Sequence, residues 1–458
     1  MNRASSSLLL ITLIATLGGL LFGFDMAVIS GALPFVTDQF HLSDSAQGWF
    51  VSSALMGCVA GVAFSGGLSD RLGRKKMLMA SALLFLLSAV GSALSLDFTM
   101  LVLARISGGI GVGVASMVAP LYISEIAPSN IRGRLVTFYQ LAITAGILIA
   151  YATNFLLLQH AITQVDSSST SFTHLLFAKE VWRGMIGIGA IPSILFLIGL
   201  FFVPESPRWL IQNNRREEGL HIIKSLTGTA IDTDSEVPAA DASSTSFYKE
   251  LLSPAMRKPL LIGILLPVFS QFSGINAVIY YGPRILSDAG VNISNAFLSQ
   301  VIFGLANFIF TLIAIWKVDT MGRRPLYIAG AIGGTVSLLF TSICFYTGAT
   351  NNIALVISII LFLACFAFSL GPLKFVIAAE IFPTKIRGRA MAVSIMAMWV
   401  SDTIVGQLTP ILLGRAGAAA TFCFFAVCCF LAFLTVYKMV PETKGRTLEE
   451  MEGMWQGH

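Results

Sequence analysis

The sequence predicts an all-α membrane protein of twelve transmembrane helices in two related halves. Composition and an internal repeat predict this class. Hydrophobic residues make up 55% of the chain and charged residues only 12%, and the mean hydropathy is +0.81. A soluble domain usually has about a quarter of its residues charged. The chain is therefore expected to lie largely within a lipid bilayer.

The apolar stretches are long enough to cross the bilayer, because a spanning helix needs about 20 residues for roughly 30 Å of hydrocarbon. The sequence contains such stretches near 8–32, 47–66, 77–95, 100–122, 135–157, 184–203, 259–283, 294–316, 326–347, 353–377, 390–413 and 419–439. The first is interpreted as a span rather than a signal peptide, since its apolar run continues without a convincing small-residue cleavage site.

An internal repeat divides these stretches into two sets of six. Glu-Ile-Ala-Pro-Ser-Asn-Ile-Arg-Gly-Arg at 125–134 returns as Glu-Ile-Phe-Pro-Thr-Lys-Ile-Arg-Gly-Arg at 380–389. Two further echoes keep nearly the same spacing: 70–75 with 319–324, and 204–206 with 441–443. We therefore expect a duplicated half. Membrane proteins of this kind most often place the substrate site at the seam between the halves, so the repeat indicates transport.

The repeat also predicts the domain boundaries. Residues 1–203 are expected to form an N-terminal six-helix bundle, and residues 259–440 a C-terminal one. The polar connection 204–258 is expected to be a cytoplasmic linker with short amphipathic helices in its first part. Residues 441–458 are expected to form a cytoplasmic tail.

The distribution of positive charge predicts the orientation. With a cytoplasmic N-terminus, 22 of the 29 Lys and Arg residues fall on the cytoplasmic connections and tails. The outer connections have only Lys179, Arg183, Arg284 and Arg415. This positive-inside bias places both termini in the cytoplasm. It also accounts for the net charge of +5, so we expect no nucleic-acid partner.

Five motifs distributed along the chain resemble the sugar porter family of the major facilitator superfamily. They are Gly23-Phe24-Asp25, the run 67–75 (Gly-Leu-Ser-Asp-Arg-Leu-Gly-Arg-Lys), the run 204–210 (Pro-Glu-Ser-Pro-Arg-Trp-Leu), the run 271–281 (Gln-Phe-Ser-Gly-Ile-Asn-Ala-Val-Ile-Tyr-Tyr) and the run 441–446 (Pro-Glu-Thr-Lys-Gly-Arg). The set is similar to bacterial proton/xylose and proton/glucose symporters and, more distantly, to animal glucose facilitators. This resemblance implies the major facilitator fold, with two pseudo-symmetric six-helix bundles, a central monosaccharide site and alternating access.

Charged residues in the repeated motifs are predicted to act in gating. Opposite charges at helix ends can form pairs that individually contribute only about 0–1 kcal/mol, which suits a network that must form and release. The alternative is that they only set topology, which we accept for Lys75, Lys76 and Lys385. The resemblance adds Tyr280 and Tyr281 as an extracellular gate, with Tyr280 also counted among the sugar-binding residues. The predicted gating residues are Asp70, Arg71, Arg74, Glu125, Arg132, Arg134, Tyr281, Asp319, Arg323, Glu380, Arg387 and Arg389.

Asp25 and Arg105 place one acid and one base inside spans of the first half. An isolated charge at the bilayer centre costs at least ~2.5–3.5 kcal/mol, so such residues are functional candidates. By resemblance, Asp25 and Arg105 match the proton-coupling acid and its arginine partner in proton/sugar symporters, whereas passive facilitators have a neutral residue in place of Asp25. The alternative is a purely structural ion pair.

Polar, uncharged side chains within the spans are predicted to bind the sugar. Gln140 and Thr144 lie one helical turn apart, as do Asn276 and Tyr280, so each pair points one way. A glycine at 274 suggests local unwinding of span seven. Any single amide could instead join helices. The resemblance implies a binding set of Gln140, Thr144, Gln271, Asn276, Tyr280, Asn307, Phe375 and Trp399.

The sequence departs from the family pattern at Ser270, Lys374, Phe375, Met398 and Asp402. Lys374 and Asp402 are a second acid and base inside spans. They are expected to pair with each other, which removes most of the cost of burying either charge. The alternative is that Lys374 faces the cavity and binds a carboxylate or phosphate.

The sequence therefore predicts a secondary transporter that imports a neutral hexose or pentose by proton symport. Its expected partners are a monosaccharide, a proton and the lipid bilayer, and it is expected to be monomeric in the plasma membrane, most naturally a bacterial cytoplasmic membrane. The alternatives are a sugar uniporter, a carrier of an acidic sugar or polyol, and a non-transporting sugar receptor. No enzyme, cofactor or metal site is expected, and the glycines of 108–113 are interpreted as helix-packing residues rather than a nucleotide loop.

Overall fold

The computed structural model describes residues 3–128, 131–164, 174–227, 253–348, 352–383, 386–444 and 454. Twelve helices in these ranges are long and apolar enough to cross a membrane. They are Leu8–Phe40, Asp44–Leu72, Arg74–Ala93, Phe98–Ile126, Arg134–Thr163, Val181–Phe201, Arg257–Asp288, Ile293–Ile315, Arg323–Thr347, Ile353–Ile381, Arg389–Arg415 and Gly417–Met439. The twelve predicted spans are confirmed.

The first half contains the helices of spans one to six and two shorter helices. These are α1 (Arg3–Phe40), α2 (Asp44–Leu72), α3 (Arg74–Ala93), α4 (Phe98–Ile126), α5 (Arg132–Thr163), α6 (Val181–Gly187), α7 (Ala190–Phe201), α8 (Pro207–Gln212) and α9 (Arg216–Thr227). The last two lie in the predicted linker. The remainder of that linker, 228–252, is outside the described residues.

The second half contains spans seven to twelve. Its helices are α10 (Arg257–Phe272), α11 (Ile275–Asp288), α12 (Ile293–Met321), α13 (Arg323–Thr347), α14 (Asn352–Phe368), α15 (Leu370–Ile381), α16 (Arg387–Arg415) and α17 (Gly417–Met439). By its contacts the chain divides into two compact units, one of Met1–Leu42 with Ser53–Ala239 and one of Ser43–Ser52 with Ala240–His458.

The same helix pairs pack together within each half. In the first, α1 packs against α5, and α3 packs against both α4 and α7. In the second, α10 packs against α16, and α13 packs against both α14 and α17. These are spans 1 and 5, 3 and 4, and 3 and 6, repeated as spans 7 and 11, 9 and 10, and 9 and 12. The packing confirms the two pseudo-symmetric bundles.

Glycines let α2 and α4 approach closely. A Cβ atom on Gly109 would lie 1.8 Å from the carbonyl oxygen of Ala54, and one on Gly57 would lie 2.3 Å from that of Ile106. Small residues at a helix crossing allow the two backbones to touch, which increases van der Waals contact where lipid supplies no hydrophobic driving force. The glycines near 108–113 thus serve helix packing, as predicted.

Span seven is interrupted at the glycine that the sequence singled out. Helix α10 ends at Phe272, Gly274 has a left-handed φ of 85°, and α11 begins at Ile275. A Cβ atom at Gly274 would also lie 2.5 Å from the ring of Phe425. Glycine is the residue that adopts this conformation without steric cost. The break separates Gln271 from Asn276, two of the predicted binding residues.

Candidate functional site

The first half contains a direct ion pair between two spans. Nη1 of Arg105, on α4, lies 2.7 Å from Oδ1 of Asp25, on α1. The Arg105 side chain is 2% exposed and that of Asp25 13%. The pair is incompletely satisfied within the described part of the chain, because Oδ2 of Asp25 and Nε of Arg105 are buried without hydrogen-bond partners. A carboxylate with one free oxygen retains a place for a proton.

Gly108, on α4, lies beside the ion pair and faces α3. A Cβ atom at Gly108 would lie 2.4 Å from Oγ of Ser88, on α3, and 3.7 Å from Oδ1 of Asp25. A residue larger than glycine at 108 would therefore have to displace Ser88, whereas its Cβ would make only an ordinary van der Waals contact with the carboxylate. Gly108 thus allows α3 and α4 to pack closely next to the ion pair.

The predicted sugar-binding residues of the first half lie on α5, the helix that packs against α1. Gln140 is half-buried, and its side chain makes no hydrogen bond to the described residues. Thr144 is buried, and its hydroxyl donates to the carbonyl oxygen of Leu141 in its own helix at 3.0 Å. Gln140 thus retains its full hydrogen-bonding capacity, whereas the Thr144 proton is already used.

The second half brings Asn276, Tyr280 and Asp402 together. Nδ2 of Asn276 donates to Oδ1 of Asp402 at 2.6 Å, and the hydroxyl of Tyr280 donates to Oδ2 at 3.1 Å. Because Asn276 and Tyr280 are four residues apart on α11, they reach one carboxylate from the same helix face. Asp402, on α16, is 2% exposed.

Lys374 does not form the predicted direct pair with Asp402, since no N–O distance of 4.0 Å or less joins the two residues. Its Nζ instead donates to Oγ of Ser270 at 2.9 Å. Nζ also lies 5.2 Å from the ring centroid of Phe375 and 5.9 Å from that of Phe366. The charges attract each other at longer range. Each charged group is therefore hydrogen-bonded by neutral side chains rather than by the other charged group. The sequence alone did not indicate this arrangement.

Lys374 and Asp402 contact opposite sides of the break in span seven. Ser270, the partner of Lys374, lies on α10, and Asn276, a partner of Asp402, lies on α11. Gln271, beside Ser270, is 5% exposed, and its side chain makes no hydrogen bond to the described residues. The two predicted binding amides therefore differ. The Asn276 amide is hydrogen-bonded to Asp402, whereas the Gln271 amide has no hydrogen-bond partner among the described residues.

The remaining binding and gating residues of this half are placed as follows. Asn307, on α12, is 8% exposed, and Trp399, on α16, is 1% exposed. Phe375 is half-buried beside Lys374. The Tyr281 hydroxyl donates to the carbonyl oxygen of Gly406 at 2.7 Å. Tyr281 is thus tied to α16, and Tyr280 is tied to Asp402 rather than left open to a ligand.

The repeated motifs form two matching clusters, one in each half. In the first, Nη2 of Arg74 lies 2.9 Å from Oε1 of Glu125, and Oγ of Ser206 donates to Glu125 at 2.5 Å. Glu205 accepts hydrogen bonds from the backbone N–H groups of Arg74 and Lys75 at 2.9 and 3.0 Å. Glu205 therefore caps the N-terminus of α3, a site that favours negative charge.

The second cluster repeats these contacts. Nη2 of Arg323 lies 3.2 Å from Oε1 of Glu380, and Oγ1 of Thr443 donates to Glu380 at 2.5 Å. Glu442 accepts from the backbone N–H groups of Arg323 and Arg324, both at 3.1 Å, at the start of α13. Burial by itself would raise the pKa of Glu442, but backbone hydrogen bonds hold it below its ordinary value.

The other predicted gating residues lie around these clusters. Asp70 also lies 3.1 Å from Arg74. Arg71, Arg134 and Arg389 are exposed, and Nε of Arg387 donates to the carbonyl oxygen of Phe382 at 3.3 Å. The side chains of Arg132 and Asp319 lie outside the described residues.

Sequence reasoning quoted Glu205 and Glu442 only as parts of repeated motifs and missed what they do. A Pro-Glu-Ser/Thr triplet following a span, paired with Gly-Arg at the start of another, is the signal that could have identified the caps. The glycines that precede the two capped helices, Gly73 before α3 and Gly322 before α13, have φ values of 95° and 87°. That left-handed turn aims the next helix N-terminus at the glutamate.

Comparison with known proteins places the chain among sugar carriers. The family model described as "Sugar (and other) transporter" matches residues 11–455. An arabinose-proton symporter of Bacillus subtilis is 39% identical over 460 residues, covering 99% of this chain and 96% of that protein. A D-xylose-proton symporter of Escherichia coli is also 39% identical, over 487 residues, with the same coverage of 99% and 96%.

A solved structure agrees with these relatives. The partially occluded inward-open conformation of the xylose transporter from E. coli superimposes with a TM-score of 0.81 at 36% identity. The match covers 97% of this chain and 100% of that one. The fold is thus that of a major facilitator transporter, and the protein is an integral membrane transporter rather than an enzyme. The chain belongs to the sugar transporter family.

Proposed function

We propose that this protein imports a neutral monosaccharide by proton symport through alternating access. The observation that carries the proposal is the Asp25–Arg105 ion pair, buried within spans of the first half with one carboxylate oxygen lacking a hydrogen-bond partner in the described residues. A carboxylate inside a span is a functional candidate, and the oxygen without a partner is the place where the coupled proton would bind. Symporters among the relatives support the same reaction.

The proposed substrate class rests on neutral polar and aromatic side chains within the spans. Gln140 and Gln271 have side-chain amides without hydrogen bonds to the described residues, and Asn276 keeps a free carbonyl edge. Asn307 and the aromatic rings of Phe375 and Trp399 complete the proposed site. Hydroxyl groups of a sugar can both donate to and accept from amides, while aromatic rings can cover its apolar face. We assign a pentose or hexose to this set.

The proposal also includes the orientation of the protein, the membrane in which it lies and its oligomeric state. The positive-inside distribution supports cytoplasmic N- and C-termini, and bacterial relatives support a bacterial cytoplasmic membrane. The Arg74–Glu125 and Arg323–Glu380 clusters are assigned to gating together with the neighbouring charges. Their repetition supports this assignment, because topology alone does not require the same acid and base pairs twice. We assign a monomer in a lipid bilayer.

Proton-driven uptake tests this function directly. Purified protein in proteoliposomes is supplied with labelled D-xylose, L-arabinose or D-glucose, with and without an inward proton gradient. We expect at least one sugar to accumulate above its outside concentration, and a protonophore should reduce this to equilibration. Uptake that only equilibrates and ignores the gradient would indicate a uniporter instead.

The binding site is tested separately from coupling. Gln140→Ala, Gln271→Ala and Asn276→Ala should each weaken binding of the transported sugar by roughly 0.5–3 kcal/mol, the range for losing one or two buried hydrogen bonds. Calorimetric titration gives the affinities. The exposed Gln212→Ala on α8 is the matched control and should bind as wild type does. Three unchanged affinities would refute this assignment of the site.

An acidic sugar is the second candidate substrate, and one observation favours it. The Lys374 ammonium has one hydrogen bond, to Ser270, and no carboxylate within 4.0 Å among the described residues. Competition by D-glucuronate in the same uptake assay measures this possibility. Competition that disappears in Lys374→Met would replace the neutral sugar with an acidic one.

A further inference from the structure

The Asn276 side chain is fixed on one side by a carboxylate. Its Nδ2 donates to Oδ1 of Asp402 at 2.6 Å. The second oxygen of Asp402 accepts from the Tyr280 hydroxyl at 3.1 Å. The acid is thus held by two donors of α11, and its 2% exposure shows that water does not compete strongly for it.

This contact determines which end of the Asn276 amide remains available. An amide has an NH₂ group, which only donates, and a carbonyl oxygen, which only accepts; an ionised carboxylate only accepts. The NH₂ end must therefore turn towards Asp402. Oδ1 of Asn276 makes no hydrogen bond to the described residues, and the residue is half-buried rather than enclosed. The free edge of Asn276 presents an acceptor.

Gln271 provides an internal contrast on the other side of the break in span seven. Its side chain is buried but makes no hydrogen bond to the described residues. It can turn either end of its amide towards a ligand. Two amides of similar chemistry thus differ in freedom, and the difference arises from Asp402.

We propose that Asp402 is a positioning residue that determines substrate specificity by making Asn276 a hydrogen-bond acceptor for one sugar hydroxyl. This inference rests on the proposed function. A sugar with a donating hydroxyl at that ring position satisfies Oδ1 of Asn276. A sugar lacking that hydroxyl leaves a desolvated carbonyl unpaired, which a site built to hydrogen-bond a hydroxyl rejects strongly.

The test combines deoxy sugars with a double-mutant cycle. Calorimetry measures the affinities of D-xylose, L-arabinose and D-glucose and of their monodeoxy analogues. In wild type, removing the hydroxyl opposite Asn276 should weaken binding about five- to a hundredfold. In Asp402→Asn the new side chain can donate as well as accept, so Asn276 can turn, and this ratio should fall at least severalfold. Ratios at the other ring positions should not change.

The cycle distinguishes positioning from a structural role. Asn276→Ala should remove the same discrimination, and Asp402→Asn should then cause no further loss in that background. Asp402→Glu keeps an acceptor and should retain more discrimination than Asp402→Asn. Asp288→Asn is the matched control on α11, because it makes the same change at an exposed position whose ion pair within the described residues is a loose one, with Arg284 at 3.9 Å. It should keep the wild-type ratios.

The outcomes separate the inference from the proposed function. If wild type binds none of the three sugars, the proposed function is refuted, and this inference with it. If wild type binds a sugar but discrimination survives Asp402→Asn, or the cycle is additive, only the inference is refuted. Should Asp402→Asn fail to fold, Asp402→Ser tests the same point, because a hydroxyl also lets the Asn276 amide turn.

Discussion

The acid and base that stand out in each half, Asp25 with Arg105 and Asp402 with Lys374, are arranged differently in the two halves. In the first, Arg105 and Asp25 are in direct contact at 2.7 Å. In the second, Lys374 contacts Ser270, while Asp402 contacts Asn276 and Tyr280. Duplication therefore preserved the helix packing without preserving the charge chemistry.

A direct ion pair and two separated charges can serve different purposes. A direct pair ties two helices together and makes each charge depend on its partner. Separated charges held by neutral donors and acceptors orient those neighbours instead. The first arrangement suits proton coupling, and the second suits the placement of groups that contact a sugar.

Neutralising the acid of the first pair should have the largest effect. Asp25→Asn should abolish sugar accumulation driven by an inward proton gradient, because an amide cannot take up the proton, while sugar binding should remain measurable. Uptake in proteoliposomes provides the measurement. Asp38→Asn, an exposed position on the same helix, is the control and should accumulate sugar normally. Accumulation that persists in Asp25→Asn would exclude this residue as the coupling site.

Removing the base of the first pair should mainly reduce stability. Arg105→Met leaves the Asp25 carboxylate buried without its cation, which should cost about 3–5 kcal/mol. The double variant Asp25→Asn/Arg105→Met should recover much of this loss. Thermal unfolding in detergent measures all three variants. Additive losses would show that the two side chains do not depend on each other.

The same cycle in the second half should give a smaller coupling energy. Lys374→Met and Asp402→Asn should each destabilise the protein, but each remaining charge keeps its neutral partners. We expect a coupling of about 0.5–3 kcal/mol, at the low end of that range and below that of the first pair. A coupling as large as that of Asp25 and Arg105 would contradict the separated arrangement.

The capping glutamates should show the smallest effects. Glu442→Gln and Glu205→Gln should each cost about 0.5–2 kcal/mol, as expected for losing a helix cap. The pKa of Glu442 is lowered in the folded state, so its stabilising contribution is present above the ordinary pKa of 4.5 and lost as pH falls through the lower folded value. Unfolding of wild type against Glu442→Gln from pH 7 to pH 3 tests the sign. A difference that grows on acidification would be the wrong sign.

The sequence alone determined the fold class, the twelve spans and the duplication. These features follow from hydropathy and repeated motifs, which are local properties of the chain. It also identified Asp25 and Arg105 as a pair, since an isolated charge in a span is costly, and Gly274 as the break in span seven, since glycine adopts non-helical backbone conformations readily.

Only the tertiary structure decided which side chains meet. Lys374 and Asp402 were expected to pair because each needs compensation, but helix packing offered nearer neutral partners in Ser270, Asn276 and Tyr280. The caps formed by Glu205 and Glu442 join positions more than a hundred residues apart. Such contacts depend on helix rotation and depth within a bundle, and neither quantity is encoded by the composition of a single span.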